Sequence, residues 1–166
     1  MNYLVLNPGD ALYIPADGIH AYLHGDIIEC MARSDNMLEA GFCPRVEMDD
    51  LNLFTEALTF SPHSPDEAIL ASKPFNRAKN GKTQIYAPPL AEFSVIKTDL
   101  GAGEEETIEP IQGPSVLIVT SGEGNMDAGD EEKELKEGFV FFVGCGVELR
   151  YQTEKGMQVH RAFCEA

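Results

Sequence analysis

The chain has 166 residues, 43% of them hydrophobic and 24% charged, the balance of a globular domain able to bury a core without disulfide staples. Its 12 Lys and Arg against 28 Asp and Glu give a formal charge of −16. A surface that negative repels nucleic-acid phosphates and anionic lipid, which argues against nucleic-acid and membrane roles and leaves a small molecule as the expected ligand.

The N-terminal apolar stretch Met1 to Leu6 is broken at Pro8-Gly9, too soon for a signal peptide, and no apolar run reaches membrane-spanning length. Short runs at 3–6, 11–15, 19–23 and 26–32 then read as strands, separated by Pro-Gly-Asp, Ala-Asp-Gly and His-Gly-Asp turns. In the last of these, Glu29 points to the face opposite Ile28 and Cys30. From Asp49 the pattern turns helical, with Leu51, Phe54, Ala57 and Leu58 on one face. Ser64-Pro65-Asp66-Glu67 opens a second short helix with Ser as N-cap and Pro in the first turn. Residues 75–82 form a polar connector. Beyond Thr83, strands are expected at 84–87, 93–99, 106–109, 115–120, 124–128, 132–135, 139–143, 147–151 and 157–164, with glycine-containing turns between them.

That rhythm predicts a mainly β chain, an antiparallel jelly-roll β-sandwich with one or two short helices. Three segments follow: strands over 1–45, a helical connector over 46–82 and a C-terminal jelly roll over 83–166. The four cysteines, Cys30, Cys43, Cys145 and Cys164, form no CxxC pair, and reduced thiols in a cytoplasmic protein are expected.

An internal echo relates Leu6 through His20 to Leu135 through Leu149. Each copy has Leu, two residues, Gly, five residues and a turn-former (Pro15 or Gly144), then a fixed offset to the last position. This is similar to the second cupin motif, which ends in a metal-binding His. The first copy keeps Pro15 and His20; the second has Leu149 at the metal position, so that barrel is expected to be metal-free.

His20 is thus the strongest metal-ligand candidate, since an imidazole at a strand start can enter a barrel mouth. Tyr22 and His24 alternate with it, and an unbroken strand would send all three to one face; His24 reads equally as a solvated residue of the His-Gly-Asp turn. Glu29 is either a buried acid in need of a partner, hence an acid/base candidate, or a solvated residue of an edge strand. His63 lies in a Ser-Pro-His-Ser-Pro loop and reads as inert, and His160 on the last strand reads as packed or superficial. The acidic stretches at 104–106 and 130–132 read as solvated turns.

The segment His20-Ala-Tyr-Leu-His-Gly-Asp-Ile-Ile-Glu-Cys-Met-Ala-Arg-Ser-Asp-Asn36, followed by Ala40-Gly-Phe-Cys-Pro44, resembles type I mannose-6-phosphate isomerase (phosphomannose isomerase) of the cupin superfamily. The later Tyr-Ala-Pro-Pro, Gly-Pro-Ser, Gly-Glu-Gly and Phe-Phe-Val-Gly segments resemble the C-terminal jelly roll of its fungal members. The resemblance implies a zinc cofactor and interconversion of mannose 6-phosphate and fructose 6-phosphate, a base moving a proton between C1 and C2 through an enediol. It implies that His20 matches the family's C-terminal zinc ligand and that Tyr22 and Glu29 match nearby active-site positions. The other ligands, a Gln-x-His pair and a Glu, belong to an N-terminal half that this sequence lacks. Glu39 stands where many members carry an arginine, and His24 where they commonly carry Ser.

Three functions are compatible with these residues. One is an isomerase-like enzyme repurposed for a non-redox isomerisation or cyclisation of a small molecule, with Glu29, Tyr22 and His24 as catalytic groups. The second is a non-catalytic small-molecule-binding or scaffold cupin, and the third is a fragment of a zinc-dependent mannose-6-phosphate isomerase. Strands over 1–45 left without their barrel favour pairing with a second copy, a homodimer.

Overall fold

The computed structural model describes residues 2–34, 37–61 and 64–165, and the chain divides into two units, Met1–Ile69 and Leu70–Ala166. His63, read above as an inert loop residue, lies outside the described residues.

Leu70–Ala166 holds nine strands among the described residues: β1 (Lys73–Pro74), β2 (Thr83–Tyr86), β3 (Ser94–Leu100), β4 (Glu105–Ile108), β5 (Ser115–Ala128), β6 (Glu131–Lys136), β7 (Val140–Val143), β8 (Leu149–Gln152) and β9 (Met157–Phe163). Every pairing is antiparallel, along the path β1-β2-β3-β9-β5-β8-β4, with β6 and β7 also on β5. The first half of β5 pairs with β7 and β9, its second half with β6 and β8. One strand therefore belongs to both layers, and the sheet curls into a cupin-type jelly roll.

The two strands expected at 115–120 and 124–128 are a single strand. Its register against β9 shifts between Val119 and Ser121, a bulge that bends the strand without ending it. Gly122 at the bend has φ 76°, a region costly for residues with a Cβ. A Cβ there would also run into the Gly156 carbonyl, and one at Gly124 into the Gln152 carbonyl. The Gly-Glu-Gly segment is therefore a close approach of neighbouring strands rather than a turn.

Period-2 alternation places the core. From one layer come Ile96, Leu100, Leu117, Val119, Val143 and Val159, and from the other Ile108, Met126, Leu135 and Leu149, all at most 5% exposed. Each such side chain contributes about 1.5–3 kcal/mol on burial. Surface ion pairs such as Lys79–Glu148 and Lys133–Glu131 contribute about 0–1 kcal/mol each, so the interior holds this unit together. Leu149, at the position where the cupin motif would carry a metal-binding His, is wholly buried in that core.

Met1–Ile69 is built differently. Its helices are where the sequence places them: α1 (Leu51–Ala57), capped by Asp50 accepting from the Asn52 and Leu53 amides, and α2 (Pro65–Ala68), where Glu67 reaches back to the Ser64 amide at 3.1 Å. A 3-10 turn spans Arg45–Glu47. The strands expected at 3–6, 19–23 and 26–32 are not formed, and the one at 11–15 is reduced to a single bridge between Leu12 and Ile69. A strand exists only against a partner, and alternation alone supplies none. Among the described residues of this unit no side chain is buried, while Tyr3, Val5, Phe42 and Val46 are 77–92% exposed. What order there is comes from local bonds, such as Tyr13 N to Ala68 O at 2.9 Å and Thr59 N to Asp17 O at 3.1 Å.

Candidate functional site

The residues singled out from the sequence lie on the extended segment that follows the Pro15-Ala-Asp-Gly18 turn. Asp17 there has φ 61°, a left-handed conformation that a short polar side chain tolerates. The turn brings the Gly18 carbonyl to 2.8 Å from His20 Nδ1. A carbonyl only accepts, so Nδ1 is the donor, which leaves Nε2 as the ring nitrogen that points away from this bond. The imidazole meets the Tyr22 ring edge-on, with centroids 6.0 Å apart at 73°.

Tyr22 is 48% exposed. Partial burial raises its phenol pKa, and the negative charge of Glu29 raises it further. His20, Tyr22 and Glu29 therefore form one loose neighbourhood. His24 sits beside Gly25 in a bend and is exposed, with no bond to the other three among those the structure shows. Glu29 is exposed as well, the solvated alternative rather than the buried acid. Glu39 is exposed too, and its amide donates to Asp49 Oδ2 at 2.6 Å.

These residues do not make a zinc site by themselves. Among the described residues no three His, Cys, Asp or Glu side chains converge, whereas zinc takes three or four protein ligands. His20 supplies one. The four cysteines are free, and partial burial raises the Cys30 pKa.

Leu70–Ala166 carries polar groups of its own. Arg77 forms a two-bonded pair with Glu165, at 2.8 and 2.6 Å, beside the rings of Phe75 and Phe163. That bond, with the Gln112 amide as second donor, pulls the Glu165 pKa down to about 2. The pair borders an open groove of about 600 Å³ that Ile85, Leu90 and Phe93 also line. His160 on β9 is half-buried with Nδ1 3.0 Å from Thr120 Oγ1. Burial, then the Lys97 charge, push its pKa down to about 4. Two buried charged groups were missed by sequence reasoning: Glu106 on β4, read as part of an acidic turn, and Arg161 on β9. Both occupy inward phases of alternating strands, and that phase is the signal that marks them.

Residues 84–131 match the family described as phosphomannose isomerase type I, C-terminal. The mannose-6-phosphate isomerase of Cryptococcus neoformans is 38% identical over 166 residues, covering 100% of this chain and 38% of the relative. That of Candida glabrata is 40% identical over 169 residues, covering 100% of this chain and 39% of the relative. The chain thus spans about two-fifths of the length of the curated relatives it matches. Among solved structures, a point mutant of phosphomannose isomerase from Salmonella typhimurium superposes with a TM-score of 0.63 at 23% identity, over 81% of this chain and 33% of that one; at that identity the likeness speaks for the fold. By sequence over its whole length and by the fold of its jelly roll, this chain is homologous to the C-terminal part of the type I phosphomannose isomerases.

Proposed function

We propose that this chain carries the C-terminal share of a mannose-6-phosphate isomerase. In this reading the jelly roll is a structural module, and Met1–Ile69 lends His20, Tyr22 and Glu29 to an active site whose other groups come from polypeptide corresponding to the rest of the relatives. The observation that carries it is that the match covers all of the chain, including a unit in which no described side chain is buried. Segments without a core of their own are held by what packs on them, and the exposed Tyr3, Val5, Phe42 and Val46 offer the apolar area to do so. Aldose–ketose exchange moves a proton between C1 and C2; Glu29 is the carboxylate available for that transfer, beside a Tyr22 phenol that stays protonated. His20 Nε2 is free to serve as one ligand of a zinc ion completed elsewhere. Cytoplasmic placement fits the four free cysteines, and no described helix is long and apolar enough to cross a membrane.

The test is a coupled assay of mannose 6-phosphate to fructose 6-phosphate with zinc present. It compares the chain alone, the chain mixed with the N-terminal three-fifths of the Cryptococcus relative, and the mixture carrying His20→Ala. Turnover in the mixture, absent from the chain alone and lost in the variant, is expected. Lack of turnover in a mixture shown by light scattering to associate would sink the proposal.

A second reading keeps the chain as an enzyme by itself, performing a non-redox isomerisation or cyclisation of a small molecule, as a homodimer packed through Met1–Ile69. The approach of Tyr22 to Glu29, with Glu39 repelling a phosphate where the family resemblance implies a cation, favours it. Cells expressing the chain would then show a small-molecule product that disappears with Glu29→Gln, and light scattering would show a dimer. A monomer with an unchanged product profile would eliminate this reading.

A further inference from the structure

Arg161 is on β9, on the same inward face as Val159 and Phe163, and is 1% exposed. Its strand neighbours in register are Ile96 of β3 and Leu117 of β5, both fully buried, so the guanidinium enters the jelly roll through an apolar layer. Nε donates to Ser115 Oγ at 2.9 Å. Among the described residues neither Nη1 nor Nη2 makes a well-formed hydrogen bond, and neither does the buried hydroxyl of Tyr151, from β8 in the other layer. The two side chains nonetheless act on one another, by charge and as neighbouring hydrogen-bonding groups, so the hydroxyl and the guanidinium face one another in the interior.

Among the described residues the one fully buried carboxylate of this unit, and the one that pairs with Arg77, are committed elsewhere. Glu106 accepts from the amides of Asn80, Lys82 and Thr107, and Glu165 from Arg77 and the Gln112 amide. The further charge acting on Arg161 is that of Arg77, a second cation. Arginine does not escape by deprotonation. A buried guanidinium whose terminal N–H groups meet no acceptor would cost an amount comparable with the net stability of a whole domain. Something that accepts hydrogen bonds and carries negative charge resolves that cost.

We propose that the jelly-roll interior binds a small monoanion, of halide, nitrate or formate size, between the two Nη groups of Arg161 and the Tyr151 hydroxyl. One negative charge neutralises the guanidinium. A dianion would leave a buried net charge of its own, and water alone would leave the cation uncompensated. The fork of Nη donors fits a planar two-oxygen anion or a sphere in its cleft, and the hydroxyl adds a third donor. The apolar walls contributed by Ile96 and Leu117 set the size limit. The site lies wholly within Leu70–Ala166 and does not depend on what completes Met1–Ile69.

The test is the thermal midpoint of the whole chain at constant ionic strength, with gluconate replaced stepwise by chloride, bromide, nitrate or formate. A saturable rise with at least one of these anions is expected for the wild type. Tyr151→Phe removes one donor and should raise the half-saturating concentration about tenfold, and Arg161→Met should abolish the dependence. Should Arg161→Met fail to fold, Tyr151→Phe and a bromide-grown crystal decide, with an anomalous peak expected between Arg161 and Tyr151. A midpoint unchanged across all four anions, or a bromide crystal with only water between these side chains, would overturn the proposal.

Discussion

The Glu106 carboxylate ties the 75–82 loop to the jelly roll, and replacing it makes a quantitative prediction. Glu106 is wholly buried. Its Oε1 accepts from the Asn80 and Thr107 amides, both at 2.8 Å, and its Oε2 from the Lys82 amide at 2.6 Å. Alanine in its place strands partly buried backbone donors and leaves a cavity where the side chain was. Hydrogen bonds to a charged group contribute about 1.5–3 kcal/mol each, but part of that sum offsets the cost of burying the carboxylate. A net loss of about 3 kcal/mol is expected, or roughly 12–24 °C in the midpoint for a unit of this size. Glu106→Gln separates bonding from volume: its one oxygen can still accept, while its NH2 must face an amide donor, so about 2 kcal/mol should be lost with no cavity formed. Urea unfolding gives both values, and hydrogen exchange should show the Asn80 and Lys82 amides losing protection first. Glu106→Gln within about 0.5 kcal/mol of the wild type, with both amides still protected, would refute the reasoning.

Two further predictions rest on the same unit. Gly124→Ala drives a Cβ into the Gln152 carbonyl and should destabilise the chain by about 1–3 kcal/mol, whereas Gly129→Ala, where φ is 64° but no atom lies within 4 Å of the new carbon, should cost about 1 kcal/mol from backbone strain alone; equal losses in urea unfolding would remove the steric account. The His160 pKa is depressed from 6.5 to about 4, so between those values the unfolded chain binds the extra proton. His160's contribution is accordingly intact above pH 6.5 and is lost as pH falls toward about 4; His160→Gln should flatten the stability profile in that window, and a proton NMR midpoint near 6.5 for this ring would contradict the burial argument.

The jelly roll was legible because each of its strands buries one face. The alternation in Met157-Gln-Val-His-Arg-Ala-Phe163 marks a strand, and the observed pattern of buried and partly exposed residues follows it residue by residue. It failed at the bulge near Thr120, where a Ser-Gly-Glu-Gly segment has the composition of a turn but is held in the ladder by neighbours too close for any Cβ. Lys73–Pro74 was also missed, since two residues paired to Ile85 and Gln84 carry no periodicity to detect.

Met1–Ile69 was illegible for the opposite reason. Its runs at 3–6, 19–23 and 26–32 alternate as strands do, yet strandedness is a property of a pair, and no described segment of the unit pairs with them. Local signals survived: Asp50 and Ser64 start their helices because a cap needs only the next three residues. The same distinction governs the site. His20 and Tyr22 meet because two residues and a turn bring them together, a relation written within five positions of sequence. A set of zinc ligands is a tertiary object, and with every described side chain of this unit at least partly exposed there is no packing to assemble one. Val5, Phe42 and Val46 are left as exposed apolar area, and in the function proposed above that area is what a further polypeptide covers. Whether the surface meets a catalytic half or a second copy is therefore the same question as whether His20 becomes a metal ligand, and the mixing assay answers both.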